Sequence, residues 1–240
     1  MKNSRQLILI LLLHVSLCYT YAFLSFLGPL IVLVTIALII RSPSRLGFSW
    51  TKLDALSFVL TGIVTALLAF YLGRTLDITL WYHVFSGSSI AYILGQTLCE
   101  EICLGFLPMQ YLAARIVGFF PRFVTVIAMS LTFAIGHQLL YTHPWRIQAD
   151  PLNLSAIIGL FLFGALRFFS YLVTKKIAIA WGIHLTWNLF FIAPDLYHRG
   201  ELLKEPQRFR LLFGEPLVFV TLIGALGIVL LAGARRRLQT

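Results

Sequence analysis

Two adjacent glutamates, Glu100 and Glu101, lie in the middle of an apolar segment, residues 88–113, that is long enough to cross a membrane. The chain has nine acidic residues, and only these two fall deep inside a predicted span. An ionised carboxylate at the centre of a bilayer costs about 2.5–3.5 kcal/mol on insertion scales. Because of this cost, the two glutamates need partners within the membrane. Ionisable residues inside a span also indicate a functional site as the first hypothesis.

Polar residues in two other predicted spans are candidates for these partners. His137 lies in the fifth span, and His184 and Asn188 share one helical face in the seventh. Counted from the basic inner flanks at about 1.5 Å per residue, Glu100 and His137 lie about 22 Å deep, Asn188 about 18 Å and His184 about 12 Å. The polar groups of three spans are therefore predicted to form one layer. For each His or Asn alone, a hydrogen bond that only joins helices stays an alternative.

Neighbouring residues on a helix diverge by about 100°. We therefore expect Glu100 and Glu101 to face different neighbours, one of them His137.

A carboxylate and an imidazole in a shielded cavity can activate water. A His–Asn pair on one helical face can donate hydrogen bonds to a developing oxyanion. Together these groups suit hydrolysis of a carbonyl, most simply a peptide bond. No cofactor is expected. Zn²⁺ held by the same residues stays an alternative, although the HExxH helix of many zinc proteases is absent from the sequence.

The composition indicates an integral membrane protein that holds these groups in a helical bundle. Of the 240 residues 59% are hydrophobic and only 12% are charged, against about a quarter in soluble domains. We predict an all-α polytopic bundle, a single domain over residues 1–240, with about eight transmembrane helices. The predicted spans are residues 6–24, 26–40, 53–73, 88–113, 122–141, 153–173, 177–194 and 213–233.

The net charge of +10 reflects membrane topology. With a cytoplasmic N-terminus, twelve of the nineteen Lys and Arg residues flank the inner ends of the spans, six lie outside and Arg167 lies within a span. This bias follows the positive-inside rule, so nucleic acid is not an expected partner. We expect a multi-pass protein of a bacterial inner membrane.

The polar residues resemble the motifs of the CAAX-protease and bacteriocin-processing family of intramembrane endopeptidases. That family has a Glu-Glu-x-x-x-Arg helix, then Phe-x-x-x-His, then His-x-x-x-Asn. The order and spacing match over about residues 88–192, at Glu100-Glu101, Phe133 to His137 and His184 to Asn188.

The resemblance implies an eight-helix membrane protease acting on membrane-associated proteins or peptides, lipidated substrates included. It implies that Glu100 and His137 activate water, that His184 and Asn188 stabilise the oxyanion, and that Glu101 is a supporting carboxylate. The core corresponds to residues 88–192.

Gly105 replaces the arginine of the family motif, so Glu101 lacks its usual partner at i+4. Arg167, the one basic residue inside a span, is a possible charge partner that would use the room left by Gly105. The alternative is that Arg167 reaches back to the inner interface.

The departure at Gly105 favours a second function, a catalytically silent membrane scaffold or immunity protein. A proton-coupled transporter ranks third, because inverted repeats and paired broken helices are not apparent in the sequence. The sequence does not identify the substrate, the cleavage site or the oligomeric state.

Overall fold

The computed structural model describes residues 34, 37, 41–44, 47–81, 87–110, 119–142 and 151–237. The described part of the chain is mostly helical. The described helices are α1 (Lys52–Thr75), α2 (Gly87–Glu100), α3 (Phe119–Thr142), α4 (Leu154–Thr174), α5 (Ala178–Phe191), α6 (Glu205–Phe213) and α7 (Pro216–Arg237). The strands are β1 (Ile78–Trp81), β2 (Asp195–His198) and β3 (Glu201–Leu202).

Four of these helices are long and apolar enough to cross a membrane. They are α1, α3 over Phe120–Gln138, α4, and α7 over Pro216–Gly233. The predicted spans 6–24 and 26–40 lie outside the described residues, apart from two single positions, so the count of eight stays a prediction. The small sheet and the short helix α6 were not predicted from the sequence.

Local sequence signals set where two of the long helices begin. The Thr51 hydroxyl accepts from the backbone N–H of Asp54 at 3.2 Å, and the Asp54 carboxylate accepts from the Thr51 N–H at 2.7 Å. This reciprocal capping box satisfies N–H groups that the first turn of α1 leaves unpaired. At α4, the Asn153 side chain accepts from the Ala156 N–H at 2.9 Å.

Helix and strand contacts divide the chain into two compact units. The glutamate unit contains the described residues up to 102 and residues 176–208, and the His137 unit contains residues 103–175 and 209–237. The expectation of a single domain over 1–240 stays a prediction.

In the glutamate unit, α5 packs against both α1 and α2. Strand β1 follows α1, β2 follows α5, and the two strands pair antiparallel, Ile78 opposite His198. The carboxyl ends of α1 and α5 therefore lie on the same side of this unit. Near the amino end of α5, the Trp181 ring packs against Phe58 of α1 at 5.1 Å and Trp50 at 6.2 Å.

In the His137 unit, α4 is the central helix and packs against α3 and α7. Two thirds of α4 is buried, against about a tenth of α7. The basic residues Arg122 and Lys175 lie near one another at one end of this unit. Burial lowers the pKa of Lys175, and the positive charge of Arg122 lowers it further.

The outer face of α1 shows the pattern of a lipid-facing helix. Small residues such as Thr65 and Ala69 are buried, as expected where helices pack closely in a membrane. Large apolar side chains are exposed along the helix at Leu53, Leu56, Val59, Leu60, Ile63, Val64, Leu67 and Phe70. Together with the four apolar helices, this pattern identifies a multi-pass membrane protein.

The turn between β2 and β3 has two residues, Arg199 and Gly200, with φ of 52° and 84°. Two positive φ angles in a two-residue hairpin loop define a type I′ turn, which favours Asn or Gly at its first central position. Arginine pays a steric cost in this left-handed conformation, on the order of 1–2 kcal/mol.

We predict that Arg199→Asn raises the free energy of unfolding by about 1 kcal/mol, because asparagine tolerates the left-handed conformation. Thermal unfolding in a fixed detergent measures the effect. Arg199→Lys is the matched control, since lysine keeps the charge and resists the left-handed conformation as arginine does. Equal shifts for both variants would show that the turn carries no strain.

Candidate functional site

The buried carboxylate of Glu101 lies against the imidazole of His184. Oε1 of Glu101 is 2.6 Å from Nδ1 of His184, and the Glu101 side chain is completely buried. Since an ionised carboxylate only accepts, the Nδ1–H of His184 donates this hydrogen bond. A hydrogen bond to a charged group is among the stronger ones in proteins, and here it compensates a carboxylate removed from water.

The other nitrogen of the same imidazole faces Glu100 and Asn188. Nε2 of His184 is 3.5 Å from Oε2 of Glu100 and 3.3 Å from Nδ2 of Asn188. On its own helix, Glu100 accepts a hydrogen bond at Oε1 from the side-chain amide of Gln96 at 3.1 Å. One imidazole thus lies between two carboxylates and an amide.

The expectation that Glu100 and Glu101 face different neighbours is wrong, because both contact His184. Two features allow this. An imidazole presents two nitrogens on opposite edges, so carboxylates that diverge around a helix can each reach one. In addition, the helix changes from α to π at Glu101, with a six-residue π segment, Glu101–Phe106. Such segments are rare and frequently occur at functional sites.

The contacts at Nε2 allow two protonation states of His184. In the neutral ring, Nδ1 carries the hydrogen, and Nε2 accepts from the N–H of Asn188. In the imidazolium, Nε2 also carries a hydrogen and pairs with Glu100. Nε2 can therefore accept from Asn188 or donate to Glu100 while the Glu101 hydrogen bond stays in place.

A second contact fixes α2 against α5 beside the candidate site. Nε1–H of Trp181 donates to the hydroxyl of Thr97 at 3.1 Å, and Thr97 is fully buried. Thr97 precedes Glu101 by four residues and Trp181 precedes His184 by three, so each pair shares a helical face. The two helices are thus held at two neighbouring points by hydrogen bonds.

His137, predicted to act on the same water as Glu100, lies in the His137 unit on α3. Its Nδ1–H donates to the backbone carbonyl of Phe133 at 2.9 Å, so the neutral ring carries its lone pair at Nε2. The ring lies between Phe133, at 4.4 Å between centroids, and Phe209 of α6, at 5.5 Å. Its predicted partnership with Glu100 stays a prediction.

Arg167 is buried in α4, with only 1% of its surface exposed. Its guanidinium lies over the rings of Phe133 at 4.9 Å and Phe163 at 5.4 Å, and near Phe168 at 6.0 Å. This burial does not fit a side chain that reaches back to the interface. Cation–π contacts with three rings stabilise the charge without water.

The room at Gly105, which the proposed role of Arg167 requires, is filled by Tyr171. A Cβ at Gly105 would lie 2.6 Å from Cε2 of Tyr171, and Tyr171 is buried. The same ring packs edge-on against Phe106 at 5.9 Å. The argument that Arg167 enters the space left by Gly105 is therefore wrong, and a charge partnership between Arg167 and Glu101 stays a prediction without that support.

The described residues contain no group of three or more His, Cys, Asp and Glu side chains placed to hold a metal ion. Whether zinc takes part stays an open alternative, and a chelator tests it.

Four residues around these positions were not identified from the sequence: Gln96, Thr97, Tyr171 and Trp181. Gln96 carried one readable signal, its position four residues before Glu100 on the same helical face. The partners of the other three lie far away in the chain, so no local pattern indicated them.

Residues 84–190 match the family model described as Rce1-like, type II CAAX prenyl endopeptidase. The match spans Glu100, Glu101, His137, His184 and Asn188. No curated protein and no solved structure matches the chain.

The contact between Gly105 and Tyr171 generates a stability prediction. We expect Gly105→Ala to lower the free energy of unfolding by about 1–3 kcal/mol, because the added methyl group overlaps the buried ring. Thermal unfolding in detergent measures the loss. Gly224→Ala in α7 is the matched control, since a Cβ there meets nothing within 4 Å. A Gly105→Ala protein as stable as the Gly224→Ala protein would contradict the close packing.

Proposed function

From the match of residues 84–190 to the Rce1-like CAAX-protease family, we propose that the protein is an intramembrane endopeptidase. It hydrolyses peptide bonds of membrane-associated proteins, lipidated substrates included, with water activated by Glu100. The observation that carries the proposal is the convergence of two carboxylates and an amide on the imidazole of His184.

Glu100 is the general base in this proposal. Its side chain is 18% exposed, whereas that of Glu101 is fully buried, so water has access to Glu100. The carboxylate takes a proton from water, and the resulting hydroxide attacks the carbonyl carbon of the scissile bond. The same carboxyl group then returns the proton to the leaving amine as the C–N bond breaks.

Asn188 and His184 stabilise the oxyanion of the tetrahedral intermediate. The side-chain amide of Asn188 lies beside Nε2 of His184, with the two nitrogens 3.3 Å apart. The amide has two N–H groups, so one can face Nε2 while the other donates to the oxyanion. His184 donates from Nε2 when it carries protons on both nitrogens. Glu101 then balances the positive charge through its hydrogen bond to Nδ1, which makes it a positioning residue.

The resemblance to the family motif gives His137 the role of activating the attacking water together with Glu100. The hydrogen bond from Nδ1 to the Phe133 carbonyl leaves Nε2 as the acceptor in the neutral ring, which suits a group that binds a water hydrogen. The role depends on this tautomer and is part of the proposal.

A catalytically silent scaffold or immunity protein is the second candidate function. The replacement of the motif arginine by Gly105, with the buried Tyr171 filling the space beside it, is the observation that favours it. The two functions differ in whether Glu100 is needed for turnover.

We predict that the purified protein cleaves members of a peptide panel that includes prenylated CAAX peptides and membrane-proximal segments. Glu100→Gln should lower kcat by at least about a thousandfold, because the amide cannot accept the proton of water. Asn188→Ala should lower kcat by about a hundredfold or more, as expected when one oxyanion donor is removed. Product analysis by mass spectrometry measures the cleavage, with and without a chelator.

The matched control is Glu201→Gln, the same change at an exposed glutamate in β3. It should leave kcat and KM unchanged. If wild type cleaves nothing in the panel while all variants fold alike, the scaffold becomes the better account. If Glu100→Gln retains full activity, Glu100 is not the base.

A further inference from the structure

Gln96 lies one turn before Glu100 on α2, and its side chain reaches the candidate base. Nε2–H of Gln96 donates to Oε1 of Glu100 at 3.1 Å. The two residues are spaced i, i+4, so their side chains share one helical face. Gln96 is half-buried, which limits how well water can replace its amide at Glu100.

The amide of Gln96 separates the roles of the two carboxylate oxygens. Oε1 is held by Gln96, while Oε2 faces Nε2 of His184 at 3.5 Å. The terminal torsion of a glutamate is broad, so a carboxylate fixed at one oxygen by a distant partner can still rotate. A donor on the same helix removes this freedom and turns Oε2 toward the imidazole.

The position of Gln96 is itself fixed by its neighbour in the chain. Thr97 is fully buried, donates to the backbone of its own helix at Ile93 and accepts from Trp181 of α5. The backbone that carries Gln96 is therefore fixed against the helix that carries His184. This restricts the positions from which the Gln96 amide can reach the Glu100 carboxylate.

We propose that Gln96 is a positioning residue for the hydrolysis, one that orients the Glu100 carboxylate and leaves Oε2 to act on water. This inference rests on the proposed function, in which Glu100 is the base. Gln96 does not touch the reacting atoms and acts through Glu100 alone. Its loss should therefore slow the chemical step without weakening the binding of the peptide.

The kinetic test compares Gln96→Met with wild type on any peptide that wild type cleaves. Methionine has a similar length and no donor, so kcat should fall about tenfold, the equivalent of one hydrogen bond to a charged group, with KM unchanged. Gln110→Met is the matched control, at an exposed glutamine of the helical segment after the π turn, and should change neither constant. An unchanged kcat, or a loss confined to KM, would overturn the positioning role.

An infrared measurement tests the contact independently of activity. The difference spectrum between wild type and Glu100→Gln isolates the carboxyl band of Glu100. Gln96→Met should shift that band and should shift nothing in the Glu100→Gln background. A band that stays in place overturns the proposal even in an active enzyme. A shifted band in a protein that cleaves no peptide supports the orientation of Glu100 by Gln96. In that case the proposed endopeptidase function is wrong, and the contact between the two side chains is not.

Discussion

The hydrogen bond between Glu101 and His184 is the interaction on which the candidate site depends. Glu101 is completely buried, and burial of an unpaired ionised carboxylate carries a penalty of several kcal/mol. The 2.6 Å contact with Nδ1 offsets that penalty and fixes which nitrogen of the ring carries the hydrogen. Because Nδ1 is committed to Glu101, only Nε2 remains for chemistry, and Nε2 is the nitrogen that faces Glu100 and Asn188. Removal of either partner would take this hydrogen bond away from a buried side chain, so stability and function are coupled at this bond.

The surrounding structure keeps α2 and α5 at the distance that this bond requires. The Thr97–Trp181 hydrogen bond joins the same two helices one turn away, and α5 also packs on α1. The π segment begins at Glu101 itself, directly after Glu100. The backbone irregularity therefore coincides with the residues that must share a partner. At its far end, Gly105 allows the buried ring of Tyr171 to approach the backbone closely.

Part of this arrangement was readable from the sequence because helical geometry is regular. A constant rise per residue and the i, i+4 rule placed Glu100, His137, His184 and Asn188 in one layer. The structure brings Glu100, His184 and Asn188 together with Glu101, and the place of His137 in that layer stays a prediction. The same regularity gave a wrong prediction where the helix is not a regular α-helix. Glu100 and Glu101 were expected to face different neighbours because the π segment that begins at Glu101 was not foreseen. Tyr171 at Gly105 could not be foreseen, because which side chain fills a gap depends on how distant segments pack. Strand β1 was not predicted for a related reason: its four residues pair with β2, more than a hundred positions later in the chain.

The most direct test of the account is the ¹⁵N NMR spectrum of the imidazole of His184 in protein labelled at histidine. Six histidines contribute, and His184→Gln identifies the signals that belong to His184. The account predicts a hydrogen on Nδ1 whose resonance shifts strongly in Glu101→Gln, while Asn188→Ala affects mainly Nε2. A ring with an unprotonated Nδ1, insensitive to Glu101→Gln, would contradict the hydrogen bond on which the site depends.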